Sequence, residues 1–162
     1  MSSPRVFIQA ADFDLATEVA ALRADDKRVG AVCSFVGIVR DRNDGDAVAS
    51  MELEHYPGMT EKSIEAMIDE AHRRFDILGA RVIHRVGLLH PLEQIRMVAV
   101  ISAHRGQSFQ ACEFLMDYLK TQAPFWKKEH TPDGARWVDA RSADDAALER
   151  WGIASGNAAA PR

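Results

Sequence analysis

Apolar and polar positions repeat along this chain with two periods, and the switches between them mark its elements. RVFIQ at 5–9 reads as a short strand. Asp14 is placed to cap a helix running to about Arg23, with Leu15, Val19 and Leu22 on one face. GAVCSFVGIV at 30–39 is apolar and β-branched without alternation, which predicts a buried strand. RDRNDGD follows as a loop with an Asp-Gly turn signal. In AVASMELEHY, 47–56, Val48, Ser50 and Glu52 alternate with Ala49, Met51 and Leu53, as in a half-buried strand.

Thr60 is placed to cap the next helix, along which Ile64, Met67, Ile68, Ala71 and Phe75 recur at helical spacing. ARVIHRVGLLH and IRMVAVISA predict two strands joined by PLEQ. SFQACEFLMDYLK predicts a second long helix, its stripe being Phe109, Cys112, Leu115, Met116 and Leu119. PFWKKEHTPDGARWVDA predicts a hairpin turning at Pro132-Asp133-Gly134. Ser142 and Asp145 form a capping box for a last short helix ending at Trp151. Residues 1–151 are then expected to make one domain, and 152–162, with little to bury, a disordered tail. Helices and strands mix without strict βαβ alternation. The expected fold is therefore α+β, with a mostly antiparallel sheet and a C-terminal hairpin.

Composition narrows the function more than the fold. The 162 residues are 47% hydrophobic and 27% charged, ordinary for a globular domain, and the formal net charge of -4 disfavours nucleic-acid binding. Six histidines show no metal-ligand spacing, so no metal centre is expected. Two cysteines in no CxxC pair fit a reducing, cytoplasmic setting, and both read as small hydrophobes. The longest apolar runs are strand-sized, so no membrane span is expected. No P-loop, G-x-G-x-x-G or G-x-S-x-G occurs.

Cations cluster locally despite the acidic balance. Lys120 lies one turn beyond Met116, and this spacing fits a snorkelling lysine at a helix C-terminus better than an amine reaching a cleft. Lys127 and Lys128 are adjacent in a strand and must face opposite ways: Lys127 with Phe125 and Glu129, Lys128 with Trp126 and His130. A lysine among aromatics can be desolvated enough for proton transfer, yet lysines also protect solvated edge strands, and spacing leaves both readings open. In SAHRG, 102–106, His104 and Arg105 fall at a helix N-terminus, which suits a phosphate or carboxylate. Arg40 and Arg42 follow a strand end, with Asp41, Asp44 and Asp46 nearby to neutralise the loop.

Five blocks in order add a resemblance. FVGIVR (35–40), LEHYPGMTEK (53–62), SAHRG, MDYLKTQAPFWKKE (116–129) and RWVDAR (136–141) together resemble the family of large, catalytic subunits of molybdopterin synthase, over roughly residues 29–151. The resemblance implies an α/β-hammerhead fold and a homodimer within a heterotetramer. The partner would be a small ubiquitin-like sulfur-carrier subunit with a C-terminal Gly-Gly thiocarboxylate. Two sulfurs would pass to cyclic pyranopterin monophosphate, forming the molybdopterin dithiolene, without metal or redox cofactor. It also implies Lys120 and Lys127 as the catalytic pair, with Lys120 nearest the carrier terminus. His104, Arg105 and Arg40 match an anion-binding set, Lys128 and Glu129 adjoining substrate contacts, and Ile38 and Val39 the stretch beside Arg40. Phe35 and Arg141 match pocket-lining positions. Ile38 stands where some relatives carry lysine, which leaves only its backbone for a contact, and the segment after Trp151 matches nothing functional.

Overall fold

A computed structural model describes residues 4–43, 46–138, 146–147 and 149–153. Strand β1 (Val6–Gln9) leads to helix α1 (Leu15–Arg23), where the Asp14 carboxylate accepts from the Thr17 amide at 2.9 Å, as the sequence predicts. Strand β2 (Ala31–Ile38) and a short ladder of β3 (Arg42–Asn43) with β4 (Asp46–Ala47) follow. Then come β5 (Ser50–His55), α2 (Met59–Arg74), β6 (Gly79–Arg85), β7 (Gly87–Leu89), β8 (Gln94–Ser102), α3 (Arg105–Thr121), β9 (Phe125–Thr131) and β10 (Gly134–Val138).

Two four-stranded sheets organise these elements. One has the order β1-β6-β8-β2, antiparallel except for β1 beside β6; the other, β10-β9-β5-β7, is antiparallel throughout. The α+β class with mostly antiparallel pairing and a C-terminal hairpin is therefore what the chain forms. In the first sheet, β6 and β8 are covered on both faces, which is why their sequences read as unbroken apolar runs. Ala80, Val82, Val98 and Val100 face α2 and α3 and join Ile64, Ile68, Phe114 and Leu115 in the main core. Burying each such Ile, Leu or Phe contributes about 1.5–3 kcal/mol. Ile83, Met97 and Ala99 face the other way, with Leu15, Val19 and Leu22 of α1 packed on them. A smaller cluster of Val39, Met51, Leu53, Leu89 and Ile95 serves the second sheet.

Five local expectations are corrected. β2 is an edge strand, so Val32, Phe35 and Ile38 are exposed rather than buried. The run 80–90 is two strands in two sheets, divided at Gly87, whose φ of 93° lies in the region glycine favours. Helix α2 starts earlier than Thr60: Gly58 is its N-cap, and the Glu61 side chain accepts from the Gly58 amide. Thr60 is instead fully buried, its hydroxyl accepting from the Tyr56 amide at 3.0 Å and donating to the Pro124 carbonyl at 3.0 Å. On α3 the buried face is set by Ala111, Cys112, Phe114, Leu115, Tyr118 and Leu119, while Phe109 points outward at 59% exposure. Over 48–53, Val48 and Ser50 are buried along with Met51 and Leu53. The Ser142–Asp145 capping box lies outside the described residues, whereas Trp151 packs edge-on against Phe75 and Phe114 at 5.8 and 5.5 Å.

Candidate active site

Helix α3 runs back along β8, placing its two ends over different chemistry. Along the strand face that α3 covers, the apolar rows Ala80–Val82 and Val100–Val98 end in two polar residues, His84 and Arg96, which are direct partners across the ladder. This polar pair lies toward the carboxyl end of α3, where Lys120 occupies the last turn and a cation is favoured by the unpaired carbonyls. Lys120 is exposed, and its charge reaches the His84 ring.

His84 is 1% exposed, and its Nδ1 lies 2.8 Å from the Arg85 carbonyl. A carbonyl can only accept, so Nδ1 carries the proton and Nε2 the lone pair. Burial, then the positive charge of Arg96, push the His84 pKa well below its ordinary value, with His55 and Lys120 acting in the same sense against the opposing Arg85 hydrogen bond. The imidazole is therefore neutral. It stacks on Phe125, with ring centroids 3.8 Å apart and planes inclined by 18°. Phe125 opens β9, and Lys127 is the next residue on the same face of that strand. His84 thus stacks on Phe125, which shares a strand face with Lys127, and its ring feels the charge of Lys120.

The alternation expected around Lys127 and Lys128 is present. Lys127 Nζ is 3.8 Å from a Glu129 carboxylate oxygen, and Glu129 is almost fully buried. Lys128 faces the other way, its Nζ 5.5 Å from the ring centre of its cross-strand partner Trp137. β9 is an interior strand of its sheet, so the edge-protection reading of these lysines does not apply. Tyr56 closes the neighbouring surface, edge-on to Trp126 at 4.3 Å.

At the other end of α3, His104 is the N-cap and Arg105 the first helical residue, both exposed. Buried Ser102 holds this turn by donating to the His104 carbonyl at 2.6 Å. Fifteen residues of helix separate Arg105 from Lys120, about 22 Å at 1.5 Å per residue. One chain therefore does not bring His104 and Arg105 to the lysines. Arg40 is exposed just past β2, and Phe35 and Ile38 are exposed on that strand. Val39 departs from the expectation of a ligand contact. Its side chain is 3% exposed in the second core, its amide donates to the Glu93 carbonyl and its carbonyl accepts from Leu92. Arg141 lies outside the described residues. Cys112 is buried and Cys33 packs against the same core, as small hydrophobes do. Sequence reasoning passed over His84, Arg96 and Arg136. The signal for the first two was present, since a histidine and an arginine interrupt otherwise apolar runs in ARVIHRV and IRMVAV.

These features define an α+β protein with cations gathered at the ends of one helix, suited to anionic reactants. Residues 8–122 match the family model described as MoaE protein, and the chain belongs to that family. The molybdopterin synthase catalytic subunit of Ralstonia nicotianae is 61% identical over 157 residues, 97% of this chain and 89% of that one. The solved molybdopterin biosynthesis MoaE protein of Burkholderia ambifaria shares 60% identity with a TM-score of 0.80, covering 93% of this chain and 99% of that one. A protein-protein complex of subunits 1 and 2 of molybdopterin-converting factor from Helicobacter pylori contains a chain of the same fold, at 20% identity and TM-score 0.67, covering 85% of this chain and 91% of that one. The activity is that of the catalytic subunit: an enzyme transferring sulfur to form molybdopterin.

Proposed function

We propose that Lys120 and Lys127 carry the sulfur transfer, acting on cyclic pyranopterin monophosphate with the C-terminal Gly-Gly thiocarboxylate of a small ubiquitin-like carrier as donor. The surroundings of His84 carry this reading: its ring stacks on Phe125, which shares a strand face with Lys127, and it feels the charge of Lys120. Both reactants are anions, and juxtaposing them requires fixed cations. A lysine held against aromatic and buried groups can also move protons as the sulfur is added. The carrier is supported by the two-subunit Helicobacter pylori complex. The proposed setting is the cytoplasm, in keeping with two free thiols; no helix among the described residues is long and apolar enough to cross a membrane.

The 22 Å between the ends of α3 gives the proposed homodimer a chemical role: His104 and Arg105 of the partner subunit complete the anion site beside Lys120 and Lys127. Exposed Val32, Phe35 and Ile38 on the edge strand β2 offer an apolar surface for such pairing. Arg40, Lys128 and Arg141 are the remaining anion contacts in this reading. Purified chain with thiocarboxylated carrier should convert the pyranopterin to a dithiolene. Lys120→Ala and the His104→Ala/Arg105→Ala double variant should each be inactive alone. Mixed, unfolded and refolded together in equal amounts, they should recover about a quarter of native turnover, because half the dimers then hold one intact site. No recovery would count against a site shared between the two subunits. An active Lys120→Ala would remove that lysine from the reaction.

A further inference from the structure

Between Lys120 in the last turn of α3 and Lys127 on β9, the chain passes through Gln122, Ala123 and Pro124. The Gln122 and Ala123 amides both donate to the Tyr118 carbonyl, at 2.7 and 3.3 Å, and the Phe125 amide donates to the Ala123 carbonyl at 2.8 Å. Those bonds are local: they tie the turn to its own helix and not to the rest of the protein. β9 pairs with β5 up to His55 opposite Phe125. One step further, the same register sets Tyr56 against Pro124, and proline has no N–H to give to a ladder. The Thr60 hydroxyl supplies the link at this position. It accepts from the Tyr56 amide at 3.0 Å and donates to the Pro124 carbonyl at 3.0 Å, while the Thr60 amide donates to the Tyr56 carbonyl at 2.9 Å.

The anchor behind this hydroxyl is firm. Thr60 is 0% exposed in the first turn of α2, and the same helix buries Ile64, Ile68 and Ala71 in the main core. Its branched Cβ restricts the side chain to few rotamers, so the hydroxyl holds its direction. Without it, an amide and a carbonyl at the end of the ladder lose their partner, and the turn loses its tie to α2. We infer that Thr60 is a positioning residue: its hydroxyl fixes the turn between α3 and β9 against α2 and β5, and so sets where Lys120 and Lys127 stand relative to each other. Thr60 acts through the backbone of the turn and touches neither reactant. This rests on the reading of the two lysines as reaction residues.

Steady-state turnover of the full chain with thiocarboxylated carrier tests it, well below the unfolding midpoint of every variant. Thr60→Val keeps the shape and removes the hydroxyl. Its kcat should fall about tenfold or more, the cost of small displacements of reacting groups, with KM for the carrier unchanged. Thr60→Ser keeps the hydroxyl and should retain most of the rate. Ile68→Val loosens the core from the same helix and should lower the midpoint temperature while leaving kcat native. A merely structural Thr60 predicts that Thr60→Val behaves as Ile68→Val does. Native kcat in Thr60→Val, a loss in Thr60→Ser as large as in Thr60→Val, or an equal loss in Ile68→Val overturns the proposal. Should Thr60→Val fail to fold, Thr60→Cys, a weaker donor at the same place, decides in its stead: its kcat should fall below that of Thr60→Ser, and a native value overturns the proposal. A Lys120→Ala or Lys127→Ala chain that still turns over would remove the reading beneath it; inactive lysine variants beside a fully active Thr60→Val overturn the inference alone.

Discussion

At its amino end α3 presents His104 and Arg105 to solvent on a turn held by backbone and by the buried hydroxyls of Ser102 and Ser108. At its carboxyl end exposed Lys120 adjoins a packed assembly, in which His84 stacks on Phe125 and Glu129 pairs with Lys127. The first arrangement is rigid in its backbone and open in its side chains. The second is fixed through the side chains themselves. An open end suits a ligand that arrives from elsewhere, such as a phosphate drawn to helix amides. A packed end suits proton transfer, where small displacements of an amine cost rate.

The largest test strikes the backbone of the amino end. A Cβ on Gly30 would sit 2.3 Å from the Ala103 carbonyl oxygen and 3.3 Å from its carbon, both backbone atoms that cannot rotate away. The Gly30 amide also donates to the Ser102 carbonyl, so the two segments are locked together. Gly30→Ala should cost about 1–3 kcal/mol in urea unfolding, the usual cost of overpacking. It should also depress turnover by displacing His104 and Arg105. Native stability and native rate together would show that the turn yields freely.

At the packed end, His84 makes stability depend on pH. Its pKa in the folded chain is lowered well below 6.5, chiefly by burial and then by Arg96, with His55 and Lys120 adding to the effect. The unfolded chain therefore binds a proton that the folded chain refuses, and stability rises with pH through this window. The contribution is complete above about pH 6.5 and is lost as pH falls below it. Midpoint temperatures measured from neutral to mildly acid pH should fall, and His84→Phe should flatten the curve. His72, lowered by desolvation and by Arg5, accounts for a residual slope. An unchanged curve in His84→Phe would mean that the ring is not held neutral.

Much of this was legible in advance, for identifiable reasons. Helix α2 and the hairpin announce themselves because amphipathic spacing and a Pro-Asp-Gly turn are local properties. The alternation of Lys127 and Lys128 follows from strand geometry alone. The exposure of Phe35 and Ile38 was not legible, because whether an apolar strand is central or at an edge depends on which strands pair beside it. The same holds for Val39, a neighbour of Arg40 in sequence but a core residue in space. His84 escaped notice because its partners, Phe125 and Arg96, come from strands distant in the chain. Nor could spacing show that SAHRG and Lys120 occupy opposite ends of one helix and cannot meet within one chain.

The smallest expected effect separates openness from rigidity at the amino end. Gly106 is the second residue of α3, four positions beyond Gly30's contact at Ser102, and a Cβ there meets no heavy atom within 4 Å. Alanine replaces glycine in a helix with a gain of about 0.5–1 kcal/mol in the interior, and less in the first turn. Gly106→Ala should therefore leave urea stability unchanged or raise it by a few tenths of a kcal/mol, beside the loss at Gly30. Two glycines within one structural turn then respond with opposite signs, because one meets a carbonyl and the other meets solvent. A loss at Gly106 as large as that at Gly30 would mean that the amino end is packed as tightly as the carboxyl end, and the contrast between them would not stand.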